Sequence, residues 1–145
     1  MPDPLDAEAV IATLGLSPHP EGGWYAETWR DAPADGSRGV GTAIYFLLEA
    51  HQASHWHRVD AAETWHHYAG GPVDLLVAAA DDGPVTTTRL GSDLAAGERP
   101  QGTVLAGAWQ AARPVAGAVL VGCTVAPAFG FDGFELAPPG WSPGG

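Results

Sequence analysis

The chain has 145 residues, with six basic side chains against 17 acidic ones and a formal net charge of −11. All six cations are arginine, and the sequence contains neither lysine nor asparagine. Six scattered arginines on so acidic a chain cannot form a face for phosphate backbones or anionic lipid, which excludes nucleic acid and membrane surfaces as partners. Without lysine there is no Schiff-base, pyridoxal or P-loop chemistry, so neither a pyridoxal nor a nucleotide cofactor is expected.

The length suits one domain over residues 1–145, and 46% apolar residues can fill a core. Twenty glycines and 13 prolines punctuate apolar runs rather than clustering, so they mark turns and not disorder. Cys123 is the only cysteine. A lone thiol forms no internal disulfide, and with no signal-like or membrane-length apolar run a cytoplasmic location is expected.

In chain order, residues 4–14 predict a short amphipathic helix. Asp3 is the expected cap, Pro4 occupies the first helical position, Val10, Ile11 and Leu14 form the stripe, and Gly15 is the left-handed stop. The loop Ser17-Pro18-His19-Pro20-Glu21-Gly22-Gly23 follows. From Trp24 the period changes to two. Strands are predicted over 24–30, 40–49, 54–59, 63–69, 73–80, 85–90, 102–105, 109–113, 118–126 and 134–137. So many short strands predict an all-β sandwich or barrel over 24–137, with a loose tail over 138–145.

Four of the six histidines lie between 55 and 67, together with Glu63. Strict alternation puts His55 and His57 on one face, and a short turn brings Glu63 beside them. Two imidazoles and a carboxylate could ligate one divalent transition metal such as Fe, Mn, Ni or Zn. Without a metal, His57 and Glu63 are acid/base candidates, because a buried carboxyl beside an imidazole has a displaced pKa. Trp65 and His67 share Glu63's face on the same count. Tyr25 and Tyr45 could offer a phenol to a substrate oxygen. Glu27 is a further candidate contact, although a strand carboxylate ordinarily faces solvent. His19 is expected to be a turn residue and Cys123 a core residue.

The spacing His55-x-His57-x5-Glu63-x6-Gly70 resembles the first motif of the cupin superfamily. Leu105-Ala106-Gly107-Ala108-Trp109-Gln110 resembles the second, with Gln110 where a metal-binding histidine usually stands. Across the chain, Pro18-His19-Pro20-Glu21-Gly22-Gly23-x-Tyr25-x-Glu27, Ile44-Tyr45-Phe46-Leu47-Leu48, Glu63-x-Trp65-His66 and Val121-Gly122-Cys123-Thr124-Val125-Ala126-Pro127 resemble the cupin-5 family. The resemblance implies a double-stranded β-helix (jelly-roll barrel), commonly a homodimer, with a small-molecule ligand in the barrel mouth. It adds Gln110 as a fourth, weaker metal ligand, and places Trp109 and Gln110 near the site. It does not fix a reaction. Three functions remain open: an isomerase or epimerase moving a proton on a small polar metabolite, an Fe(II) oxygenase using His55, His57 and Glu63, and a non-catalytic ligand binder.

Overall fold

A computed structural model describes residues 4–145. Helix α1 spans Ala7–Leu14, shorter than the predicted 4–14. The expected cap Asp3 lies outside the described residues. Asp6 caps the helix, its side chain accepting from the Ala9 N–H, and Gly15 ends it in the left-handed region.

Eleven strands follow among the described residues: β1 (Ser17–Pro18), β2 (Trp24–Arg30), β3 (Thr42–Leu48), β4 (Ser54–Val59), β5 (Ala62–Gly70), β6 (Val73–Ala78), β7 (Thr86–Leu90), β8 (Gln101–Val104), β9 (Trp109–Pro114), β10 (Val119–Ala126) and β11 (Phe134–Leu136). One sheet has the order β1-β2-β3-β10-β5-β8 and the other β11-β4-β9-β6-β7, with every pairing antiparallel. The two sheets face one another as a jelly roll. Alternate residues therefore point into a shared interior. All ten strands predicted from the two-residue period form, most within one or two residues of the expected ends, and the fold is all-β with one short helix.

The interior is apolar over much of its length. Phe46, Leu48, Trp65, Leu75, Leu90 and Val104 pack there with Val119 and Val121. A second cluster lies outside the smaller sheet, where Trp56, Trp109 and Ala111 are covered by Ala137 and Trp141. The tail predicted to be loose is anchored at Trp141 and Gly144, while residues 138–140 and the last two glycines are exposed. Trp141 stacks 4.5 Å from Trp109, and the Gly144 N–H donates to the Asp81 carbonyl. Burial of two large indole faces outweighs the cost of ordering a few residues.

Three β-bulges interrupt the alternation, in the pairings β2–β3, β4–β9 and β5–β10. The one in β4 matters most. Ser54 pairs with Ala112 and His57 with Gln110, so β4 spends one more residue than β9 over the same stretch. Ser54 and His57 face inward as a result, three residues apart.

Candidate functional site

The polar end of the interior is a cavity of about 250 Å³. His57 from β4 and Glu63 from β5 both line it, as do Tyr25 and Glu27 from β2. His57 is 1% exposed. Its Nδ1 lies 2.8 Å from the His55 carbonyl oxygen, which can only accept, so Nδ1 carries the proton and donates. Nε2 then holds a lone pair, and its polar neighbour is Glu21 Oε1 at 3.5 Å. Burial, only partly offset by nearby Glu63, lowers the imidazole's pKa and keeps it neutral.

Glu63 is held from two sides. The Gln110 Nε2 donates to its Oε1 at 3.0 Å, and the Cys123 thiol also hydrogen-bonds to it. Burial nevertheless raises its pKa to about 7. Its neighbour Glu21 is raised further, to about 8, again by burial, with the Ser54 hydroxyl donating to Oε2 and opposing the shift. Both carboxyls therefore exchange protons near neutrality, where ordinary glutamates are fully ionised.

Glu21 reaches this position because its loop docks tightly on the start of β4. The Glu21 carbonyl accepts from the His55 N–H at 2.8 Å. Gly22 (φ +107°) approaches so closely that a Cβ would collide with the Ala53 carbonyl oxygen. His19 also enters the cavity instead of remaining a surface turn residue. Its Nδ1 accepts from the Glu21 N–H, and burial together with His57 lowers its pKa to about 4. Its ring meets Tyr25 edge-on at 4.6 Å.

Phe129, Phe131 and Phe134 close the rim in an edge-to-face cluster with centroids 5.0–5.8 Å apart. Arg30 lines the same rim, but its guanidinium is tied to both oxygens of Glu27 and to the Phe129 carbonyl. Cys123 belongs to the apolar core as expected and also reaches the cavity wall, where burial and Glu63 hold its thiol protonated.

Several predicted contacts lie elsewhere. The β4 bulge turns His55 away, and its Nε2 meets the Pro138 carbonyl oxygen at 2.9 Å. Gln110 sits behind Glu63 with Oε1 accepting from the Trp65 indole at 2.8 Å, so it positions Glu63 and does not face the cavity. Trp65 belongs to the apolar core. Trp109 points to the outer face, where its indole donates to Asp81 and Arg58 lies 4.5 Å over its ring. Tyr45 is likewise outside, against Tyr68. His67 follows Trp65 toward the far end of β5 and meets the Gly71 carbonyl oxygen.

The expected metal set of His55, His57, Glu63 and Gln110 is therefore not assembled. Two of its four members point elsewhere, their donor atoms already engaged. Among the described residues no group of three His, Cys, Asp or Glu side chains is arranged to hold an ion. These donors do not fit the metal that the spacing suggested.

A jelly-roll barrel with a polar cavity at one mouth defines the cupin class of proteins. The family model of the cupin superfamily (DUF985) matches residues 8–137, and the chain belongs to this family, cupin-5. A protein of Shewanella oneidensis is similar at 42% identity, over 92% of this chain and 85% of that one, with a TM-score of 0.85. A hypothetical protein from Leishmania major is 34% identical over 92% and 88%, with a TM-score of 0.82. An oxalate decarboxylase variant from Bacillus subtilis shares the fold alone, at 12% identity over 82% of this chain and 29% of that one (TM-score 0.63). No curated protein matches. No described helix is long and apolar enough to cross a membrane.

Proposed function

We propose that this cupin is an enzyme that moves a proton on a small carbonyl metabolite held in the barrel mouth, as an isomerase or epimerase does. One observation carries the reading: the neutral His57 presents the Nε2 lone pair to the cavity beside two buried carboxyls, Glu21 and Glu63. A base, an acid and an enclosed space are the elements such a reaction needs. His57 Nε2 takes the proton from the carbon next to the carbonyl. The electron pair of that C–H bond moves toward the carbonyl oxygen, which receives a proton from the neutral carboxyl of Glu21. The imidazolium then returns its proton to that carbon or to its neighbour, and the Glu21 carboxylate recovers a proton from the hydroxyl that becomes the carbonyl, so both groups regain their starting states. Glu63, oriented by Gln110 and Cys123, fixes the electrostatics around the imidazole, and Tyr25 offers a second hydroxyl to the substrate oxygen.

The test is solvent exchange. Carbonyl metabolites incubated with the protein in D2O are followed by proton NMR for loss of the signal next to the carbonyl. Exchange should occur with the wild type and fall by about 10²- to 10⁴-fold in His57→Gln. Ligands that raise the melting temperature with no exchange in any of them would instead favour a non-catalytic binding role. The same reading takes the protein as a homodimer, which light scattering checks.

A further inference from the structure

The cavity floor is set by one imidazole lone pair and two carboxyls, and that bears on what it accepts. This inference deepens the proton-transfer reading and rests on it. His57, 1% exposed, aims an unprotonated Nε2 into the space. Glu21 and Glu63 add carboxyl oxygens from the loop and from β5. The one guanidinium at the rim, Arg30, spends three of its five N–H donors on Glu27 and the Phe129 carbonyl, and the Glu27 carboxylate offsets its charge, which weakens its pull on an anionic ligand. Around these acceptors stand aromatic faces, those of Tyr25, Phe129, Phe131 and Phe134.

An acceptor-rich floor calls for a ligand that donates hydrogen bonds. Aromatic walls beside carboxyls favour a donor that is also positively charged, because ring faces and carboxylates attract the same sign. We infer that the ligand is a small organic amine, its ammonium donating to the Glu63 carboxyl, its carbonyl facing the Glu21 hydroxyl so that His57 Nε2 stays open to the C–H bond, and its apolar part lying against the phenylalanines. For the proposed reaction this selects 2-amino carbonyl compounds without a free carboxylate, and it disfavours keto acids and phosphorylated sugars.

The protonation states agree with this assignment. When empty, the cavity holds Glu21 and Glu63 near neutrality, with pKa values of about 8 and about 7. The other titratable groups facing them are His19 from the loop, Tyr25, Glu27 and Arg30 from β2, His57 from β4 and Cys123 from β10. Of these only Arg30 is cationic at neutral pH, and Glu27 balances it. An entering ammonium therefore meets no opposing charge and draws the proton off Glu63, the more acidic of the two carboxyls.

Three probes of one shape but different head group decide the matter: butylammonium, 1-butanol and butanoate. Each is titrated calorimetrically into the full-length protein at pH 7, in two buffers of different ionisation enthalpy. Butylammonium should bind at least about tenfold tighter than either other probe and should release protons to the buffer. Glu63→Gln should weaken it by about tenfold. Should that variant fold poorly, Phe131→Ala at the exposed rim should still weaken butylammonium by about threefold. Butanoate or butanol binding as tightly as the amine, or no binding of the amine, overturns the inference. Amine selectivity without any solvent exchange would sink the proton-transfer reading alone. Exchange on keto acids without amine selectivity would sink only the ligand assignment.

Discussion

Toward one end of the barrel the inward positions carry Phe46, Trp65, Leu75, Leu90 and Val104; toward the other they carry His57 and Glu63, with Glu21 and Cys123 beside them. Both sets of side chains are buried, and β5 serves both, with Glu63 and Trp65 two residues apart on one face. In the apolar half, burial is the source of stability. In the polar half the same burial is a cost, visible as neutral imidazoles and carboxyls that hold their protons into the neutral range. Gln110 spans the border, accepting from Trp65 and donating to Glu63, so neither half leaves a buried polar atom unmatched there. The contrast shows how a barrel of this size can keep reactive groups dry: the packed half supports the fold while the polar half stores chemistry.

Substitutions in each half should separate them. The largest effect is expected from Trp65→Ala, which empties a large volume in the packed half and should lower unfolding free energy by about 3–5 kcal/mol, read from urea denaturation. Gln110→Leu should cost about 2–3 kcal/mol in the same assay, because it strands the Trp65 N–H and removes a donor from Glu63. It should also raise the Glu63 pKa further, which pH-dependent carboxyl infrared bands would show. A loss no greater than that of a surface change would mean the two halves are not coupled through this amide.

The pH dependence of stability is set by the polar half. Glu21 and Glu63 have folded pKa values above the unfolded ones, so the native state binds more protons than the unfolded state and stability falls as pH rises through about 7 and 8. His19 and His57 are lowered, so they act in the opposite direction, chiefly below the unfolded histidine value of 6.5 and fading within about one pH unit above it. Between pH 6.5 and 8 the carboxyls dominate. Stability should drop there by about 2 kcal/mol, and Glu21→Gln should flatten most of the slope. A stability that rises over this interval would contradict the protonated state assigned to these groups. The smallest effect is expected at the rim: Phe131, half exposed, should tolerate alanine within about 0.5 kcal/mol while still altering ligand binding.

The ten longer strands, the helix and the turns follow from local chemistry, and so does the choice of His57 and Glu63, whose separation matches two neighbouring inward positions. Alternation carried the count well along β5 up to Trp65 and failed in β4. Nothing in Ser54-His55-Trp56-His57 announces that β4 takes an extra residue against β9, because a bulge is decided by the partner strand's register. His55 was lost to the cavity for that reason. Trp109 lies on the outer face of β9, and its neighbour Gln110, though inward, is screened from the cavity by Glu63. The reach of Glu21 was illegible for a different cause. It stands in a Pro/Gly loop whose residues show no period, and only the close approach of Gly22 to Ala53 delivers its side chain to Ser54 and His57.

The absence of lysine excludes lysine Schiff-base chemistry before any fold is known, and the charge of −11 argues against a phosphate-backbone partner, since both depend only on which groups exist. By itself the sequence determined the all-β class, the cupin motifs and a stock of reactive groups limited to imidazole, carboxyl, phenol and thiol. Only the tertiary structure decided which of them face one another, and so which carboxyls keep their protons. Pairing register and loop docking are properties of distant segments meeting, and desolvation acts on a side chain only after they have met.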